Sequence, residues 1–212
     1  MTKLEAIYQK LYSRYGELHW WPADSPFEVM VGAVLTQNTA WTNVEKAIGR
    51  FDGDLSPERI LSLPAEELEA IIRPAGFFRQ KAHYLKAVSG WFVSHDCDVD
   101  AIKKRPMREI RSELLRLRGV GNETADSILL YAFNLPSFVV DAYTMRLFAR
   151  FPVDAGKTYM DVKNHCEAEL PLDAELYNRF HALIVQNAKA CCKKKADCEG
   201  CPLKKICKKI GI

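Results

Sequence analysis

Residues 115–133 read LRLRGVGNETADSILLYAF, and the fold turns on this stretch. A helical pattern that starts near Met107 runs to Leu117, two glycines flanking one valine interrupt it, and a second helical run goes from Asn122 to about Phe133. Two helices joined by Gly119-Val120-Gly121 make a tight hairpin. The glycines are expected to allow φ > 0 and to present bare N–H groups beside a helix N-terminus, where a phosphate can sit. A packing hairpin uses the same residues, so the stretch defines a shape before it defines a function.

The flanking sequence is helical as well. Ser25-Pro26-Phe27-Glu28 combines a capping serine, a proline at the first helical position and a glutamate three residues after the cap. Ser56-Pro57 opens another helix, and Pro64-Ala65-Glu66-Glu67 a third, with acids in the first turn. Gly76 separates that helix from a longer one, Phe78 to about Val93, while Asp141, Thr158 and Asp173 cap three more. Strict strand alternation is missing, so the fold class is all-α. Pro22 to Ser25 and Asn134 to Ser137 are the candidate linkers. They predict a central helical-barrel domain over 25–137, with the hairpin at about 107–133, and a second helical domain built from 1–24 and 138–212.

With 48% hydrophobic and 27% charged residues the chain is globular rather than disordered. No apolar run reaches the roughly 18 residues of a membrane span. The start, MTKLEAIYQKLYSRYG, carries apolar residues at helical spacing and is not a signal peptide. A monomer in the cytoplasm is expected, nucleoid-associated if the source is prokaryotic. Cysteines stay reduced there, so seven of them argue for metal or chemistry rather than disulfides.

Cys191, Cys198, Cys201 and Cys207 follow the spacing C-x6-C-x2-C-x5-C. Zinc ribbons usually pair two C-x2-C knuckles, and only one is present here. Four thiolates of irregular spacing suit a [4Fe-4S] cluster. Cys192 is a second candidate for the first position, though the spacing favours Cys191; Cys97 and Cys166 read as bystanders. Between Lys189 and the end stand eight lysines and two acids, a balance of +6, while the other 22 basic and 25 acidic residues net −3. Interleaved with a rigid metal site, Lys193, Lys194, Lys195, Lys204 and Lys205 form a patch suited to phosphates.

Phe138 to Thr144 reads FVVDAYT. Asp141 ends an apolar run and starts a helix. One carboxylate oxygen serves the cap, and the other remains free to stabilise a developing sugar cation or to orient a water.

LRGVGNETADSILLYAF followed by VVDAYTMRLF resembles the hairpin and catalytic-aspartate signature of the helix-hairpin-helix DNA glycosylase superfamily. The cysteine spacing resembles that of the endonuclease III family within it, and GAVLTQNTAWTNVEKA and AGFFRQKAHYL resemble two further family segments. The likeness runs from about Trp20 to Cys207. It implies two helical domains flanking a DNA-binding cleft, a C-terminal [4Fe-4S] loop, and damaged double-stranded DNA as partner. It implies Asp141 as the catalytic carboxylate and Gly119, Val120 and Gly121 as the strand grip. Gln37 falls where the family places a glutamine that fills the gap left by a flipped nucleotide; the flanking match VLTQNT favours this slightly over a helix-end glutamine in solvent.

One departure carries chemistry. Bifunctional members have a lysine two residues after the second hairpin glycine, which attacks the sugar as a Schiff-base nucleophile, and this chain has Glu123 there. A carboxylate cannot form that imine, so base release without strand cleavage is expected. No counterpart of the extra C-terminal domain of the adenine-specific branch is visible. Trp20-Trp21-Pro22, VLTQNT with Trp41 after it, and RPAGFFRQKA resemble the endonuclease III-like 3-methyladenine glycosylases, whose best-known members lack the cluster. A flipped base must be held between aromatic faces, and a desolvated cation–π contact of about 2 kcal/mol favours an alkylated, cationic purine roughly thirtyfold. Trp41 is the leading stacking candidate, then Trp20 and Trp21, each weighed against ordinary core packing. Glu123 is either a pocket carboxylate or a surface residue, and Arg79, Gln80 and Lys81 read as surface or helix-stabilising residues. Two other functions fit the same residues: a glycosylase for deaminated, mismatched or oxidised bases, and a non-catalytic damage sensor.

Overall fold

The computed structural model describes residues 2–18, 20–151 and 153–212. Among these the chain is all-α, with no strand. In chain order the helices are α1 (Lys3–Tyr15), α2 (Pro26–Leu35), α3 (Trp41–Ile48), α4 (Pro57–Ser62), α5 (Ala65–Ile72), α6 (Phe78–Val93), α7 (Val99–Lys103), α8 (Met107–Arg116), α9 (Asn122–Ser127), α10 (Ala142–Arg150), α11 (Tyr159–Glu169) and α12 (Ala174–Ala190). They form two compact units, Ala23–Leu135 and the pair of segments Met1–Pro22 and Pro136–Ile212.

Local chemistry sets most helix starts. Ser25, Ser56, Thr158 and Asp173 each accept a backbone N–H from the first turn of α2, α4, α11 and α12. Proline stands in the first turn of α2 and α4, where its missing N–H costs nothing.

In the unit Ala23–Leu135, α2 is buried on nearly every side, from Phe27 to Leu35. A helix apolar all round has to be central, and α2 packs against α6, α9 and the turn that follows α9. The second hairpin helix runs from Asn122 to Ala132, as expected, but it is α-helical only as far as Ser127. After Ser127 it widens into a π-helical turn over Ile128–Ala132, where Phe133 N–H donates to Ile128 O over 3.2 Å. The wider turn keeps Ile128, Leu129 and Leu130 buried.

Lys81 corrects the surface reading. It is 2% exposed, and its Nζ donates to Leu35 O and Ala75 O, both over 2.8 Å. Burial lowers its pKa to about 8. The amine satisfies the last carbonyl of α2, so the helix-stabilising half of that reading stands.

In the other unit, α12 packs on α1 and α10. Phe138 meets Tyr177 edge-on at 5.4 Å and Phe180 at 6.0 Å, and Tyr8 of α1 meets Phe180 at 5.5 Å. These rings lock α12 against its neighbours. The cysteine-rich loop leaves the C-terminal end of α12.

Candidate active site

The hairpin glycines differ from one another. Gly119 has φ +84° and lies on the Tyr84 ring so closely that a Cβ there would stand 2.1 Å from Tyr84 Cγ. Gly121 has φ −95° and ψ −176°, an extended backbone open to any residue, so the expectation of left-handed backbone at both glycines is corrected for Gly121. A Cβ on Gly121 would meet nothing within 4 Å. Gly121 therefore opens α9 with no side-chain cap and no bulk over its first turn. Val120 between the two glycines is buried, 6% exposed.

Two braces hold this turn. Gln37 donates through Nε2 to Gly119 O and to Thr124 Oγ1, each over 2.9 Å. Its amide nitrogen is thus turned onto the hairpin rather than into solvent. Arg111 of α8 grips buried Asp126 of α9 with bonds of 2.8 and 3.0 Å and donates to Asn122 Oδ1 over 2.8 Å. Both braces tie together residues on the two sides of the turn.

Asp141 caps α10, its Oδ1 accepting Thr144 N–H over 2.7 Å. Its Oδ2 lies 3.5 Å from Nε2 of His181, and the two side chains are 12% and 5% exposed. Burial pushes the Asp141 pKa up. The facing His181 and the Thr144 bonds outweigh it and leave the pKa below the ordinary value of 3.8. Asp141 is an ionised carboxylate at neutral pH, with one oxygen committed to the backbone and the other facing an imidazole nitrogen 3.5 Å away.

His181 in turn meets the Trp20 ring edge-on, centroids 6.1 Å apart, and Lys189 Nζ stands 5.6 Å over the Trp20 ring. One unit therefore holds Asp141, His181, Trp20 and the cysteine loop together. Trp21, in the same unit, is half-buried with φ +58°, a backbone that tryptophan rarely adopts. Gln37, Trp41, Glu123 and the hairpin belong to the other unit. Trp41 is the half-buried first residue of α3, and Glu123 lies exposed in the first turn of α9.

His181 escaped the sequence reading. A lone histidine in the apolar run FHALIV was the available signal, but only the fold sets it against a residue 40 positions away.

Cys191 caps α12 and, with Cys192, Cys198, Cys201 and Cys207, lines a hollow of about 340 Å³ including its open mouth. Leu203, fully buried, anchors the loop, and Cys207 N–H donates to its carbonyl over 2.8 Å. Arg150 donates to Cys192 Sγ, Lys193 O and Lys194 O, and Arg146 Nε donates to Cys192 O over 2.7 Å. Among the described residues no three His, Cys, Asp or Glu side chains gather closely enough to hold a single metal ion. Lys193, Lys194, Lys195 and Lys205 are exposed, and Lys204 pairs with Glu199 over 2.6 Å.

An all-helical chain with a braced glycine hairpin and a buried, ionised cap aspartate has the architecture of a helix-hairpin-helix DNA repair protein. Residues 31–171 match the family model described as HhH-GPD superfamily base excision DNA repair protein. The chain belongs to this superfamily of DNA glycosylases. It is 46% identical over 206 residues to a provisionally named DNA repair glycosylase of Methanocaldococcus jannaschii, covering 95% of this chain and 94% of that protein. It is 31% identical to a thymine/uracil-DNA glycosylase of Pyrobaculum aerophilum, covering 95% and 89%. A 3-methyladenine DNA glycosylase of H. pylori, solved bound to 1,N6-ethenoadenine, superimposes with a TM-score of 0.72 at 28% identity over 88% of this chain and 95% of that one. An endonuclease III trapped covalently on DNA superimposes with a TM-score of 0.83 over 99% and 97%; at 24% identity that likeness concerns the fold alone.

Proposed function

We propose that the chain is a monofunctional DNA glycosylase. It binds damaged duplex DNA, rotates the damaged nucleotide out of the stack and hydrolyses its N-glycosidic bond without cutting the strand. The observation that carries this reading is Asp141, a buried carboxylate kept ionised by two partners. As the bond from C1′ to the base nitrogen breaks, positive charge grows on the sugar, and a fixed anion stabilises it. Water then adds to C1′, its proton passing to the carboxylate and on to solvent, while the base leaves with the bonding electron pair. Glu123 stands where a Schiff-base lysine would be needed for strand cleavage.

Alkylated purines are the substrate class we favour. A base that already carries positive charge leaves without being protonated, so one carboxylate and no general acid suffice. The fold and 28% identity shared with the H. pylori 3-methyladenine glycosylase support this choice. The 31% identity to the P. aerophilum thymine/uracil glycosylase supports a second reading, release of deaminated or mismatched pyrimidines. Lys189 covers one face of Trp20, which leaves Trp41 and Trp21 as the stronger stacking candidates.

The thiols that line one hollow fit a [4Fe-4S] cluster held by Cys191, Cys198, Cys201 and Cys207. Such a cluster, when bound, supplies a rigid cross-link with a redox-active centre. The residues around it present Lys193, Lys194, Lys195 and Lys205 to phosphates, while the backbone from Gly119 to Gly121 grips the strand.

Excision from duplexes carrying 3-methyladenine, uracil or thymine opposite guanine, or 8-oxoguanine tests the substrate. Release of 3-methyladenine foremost is expected. Faster release of uracil or thymine moves the chain to the second reading, and tight binding with no release from any lesion makes it a sensor. Borohydride on an abasic duplex should trap no covalent adduct, and a trapped adduct would contradict the monofunctional assignment.

A further inference from the structure

We infer that His181 is a positioning residue for Asp141, fixing the second carboxylate oxygen where the opened sugar has to meet it. This rests on the reading of Asp141 as the catalytic carboxylate.

Oδ1 of Asp141 is committed to Thr144 N–H at 2.7 Å. Oδ2 is the oxygen left for chemistry, and Nε2 of His181 is 3.5 Å from it. That separation is longer than a formed N–H···O hydrogen bond, and catalytic contacts are often long before substrate tightens them. His181 has little freedom to leave. Its side chain is 5% exposed, Phe180 and Leu183 beside it on α12 are fully buried, and the Trp20 ring closes over its edge. An imidazole wedged in this way sets the torsion of the carboxylate opposite it.

A purely structural cap would not require such a pair. Serine, threonine or asparagine caps a helix as well as aspartate, and none of them puts a charge in the interior. Val140, next to Asp141 in the chain, is 1% exposed, and the Asp141 side chain itself is 12% exposed. In that setting a carboxylate without a second polar partner is destabilised as an anion. The aspartate and histidine together make sense where an oriented anion is the purpose.

The test compares the wild-type chain with His181→Leu, His181→Gln and Asp141→Asn. Single-turnover base release is read from dimethyl sulfate-treated duplex, affinity from a duplex with a tetrahydrofuran abasic analogue, and folding from thermal melts. His181→Leu removes the polar group that faces the charged oxygen, so release should slow by ~10- to 100-fold with affinity unchanged. His181→Gln restores an N–H donor and should recover most of the rate. Wild-type release by His181→Leu overturns the inference, and so does a loss that follows the melting temperature equally in Leu and Gln. If Asp141→Asn is inactive while His181→Leu is not, only the positioning role fails. If Asp141→Asn releases base normally, or the wild-type chain releases none from alkylated, uracil- or thymine-containing and 8-oxoguanine duplexes alike, the underlying reading fails and takes this one with it.

Discussion

Arg150 donates to Cys192 Sγ over 3.3 Å and, through the same guanidinium, to Lys193 O and Lys194 O over 2.6 and 3.0 Å. It is the last residue of α10, the helix that Asp141 begins, and it is 8% exposed. One nine-residue helix thus carries the candidate carboxylate at its start and clamps the cysteine loop at its end. Arg150→Met should leave two carbonyls unsatisfied and loosen the loop, at about 3 kcal/mol. For a chain of this size that is a fall of roughly 6–12 °C in melting temperature. Calorimetry checks it, together with the rate of iron loss to a chelator, which should rise. An unchanged melt would show that the clamp is redundant.

Cys191 and Cys192 are adjacent, and both line the hollow. The Cys192 thiol is engaged by Arg150 at 3.3 Å, whereas the Cys191 thiol has only a 4.0 Å contact with Tyr15 Oη, which makes Cys191 the better ligand. Cys191→Ser should therefore lose bound iron, whereas Cys192→Ser should keep it, as measured by iron per chain and visible absorbance. The reverse pattern would move the first ligand to Cys192.

The hairpin glycines should respond oppositely to alanine. Gly119→Ala adds left-handed strain of about 1–2 kcal/mol and drives a Cβ into the base of the Tyr84 ring, which cannot swing aside. The total destabilisation should exceed ~3 kcal/mol, with partial recovery in a Tyr84→Ala background. Gly121→Ala meets only open space, so folding should change by less than ~0.5 kcal/mol. Its duplex affinity then reports on the bare turn alone. Equal melts for the two variants would contradict this asymmetry.

Glu113 of α8 is held by Arg105 and by Trp91 Nε1, the latter over 3.1 Å. Its hydrogen bond with Arg105, opposed by burial and helped by Trp91, lowers its pKa from 4.5 to about 2. A depressed folded-state pKa means stabilisation that is fully present above 4.5 and vanishes as pH falls toward 2. The stability advantage of wild type over Glu113→Gln should therefore shrink steadily across that window. An advantage constant with pH would show that the Glu113 pKa is not shifted by folding.

What the sequence disclosed divides by the range of the physics. Ser25, Ser56, Thr158 and Asp173 were legible as caps because a cap is written within three or four residues, and the C-x2-C spacing of Cys198 and Cys201 is local in the same sense. Lys81 was not legible: lysine in an exposed-looking helix pattern gives no sign that two carbonyls, one 46 residues back, will bury its amine. Nor does GVG by itself say which glycine needs the left-handed backbone, since Tyr84 decides that from 35 residues away. The Asp141–His181 contact and the Arg150 clamp likewise arise only when α10 packs on α12.

The most direct test of the account is single-turnover base release by Asp141→Asn. Asparagine caps a helix as well as aspartate, so the variant should fold normally and keep the Thr144 bond. With the charge removed, release from alkylated duplex should fall by ~10²- to 10⁴-fold while duplex binding stays near wild type. Release at the wild-type rate would contradict the catalytic assignment of Asp141.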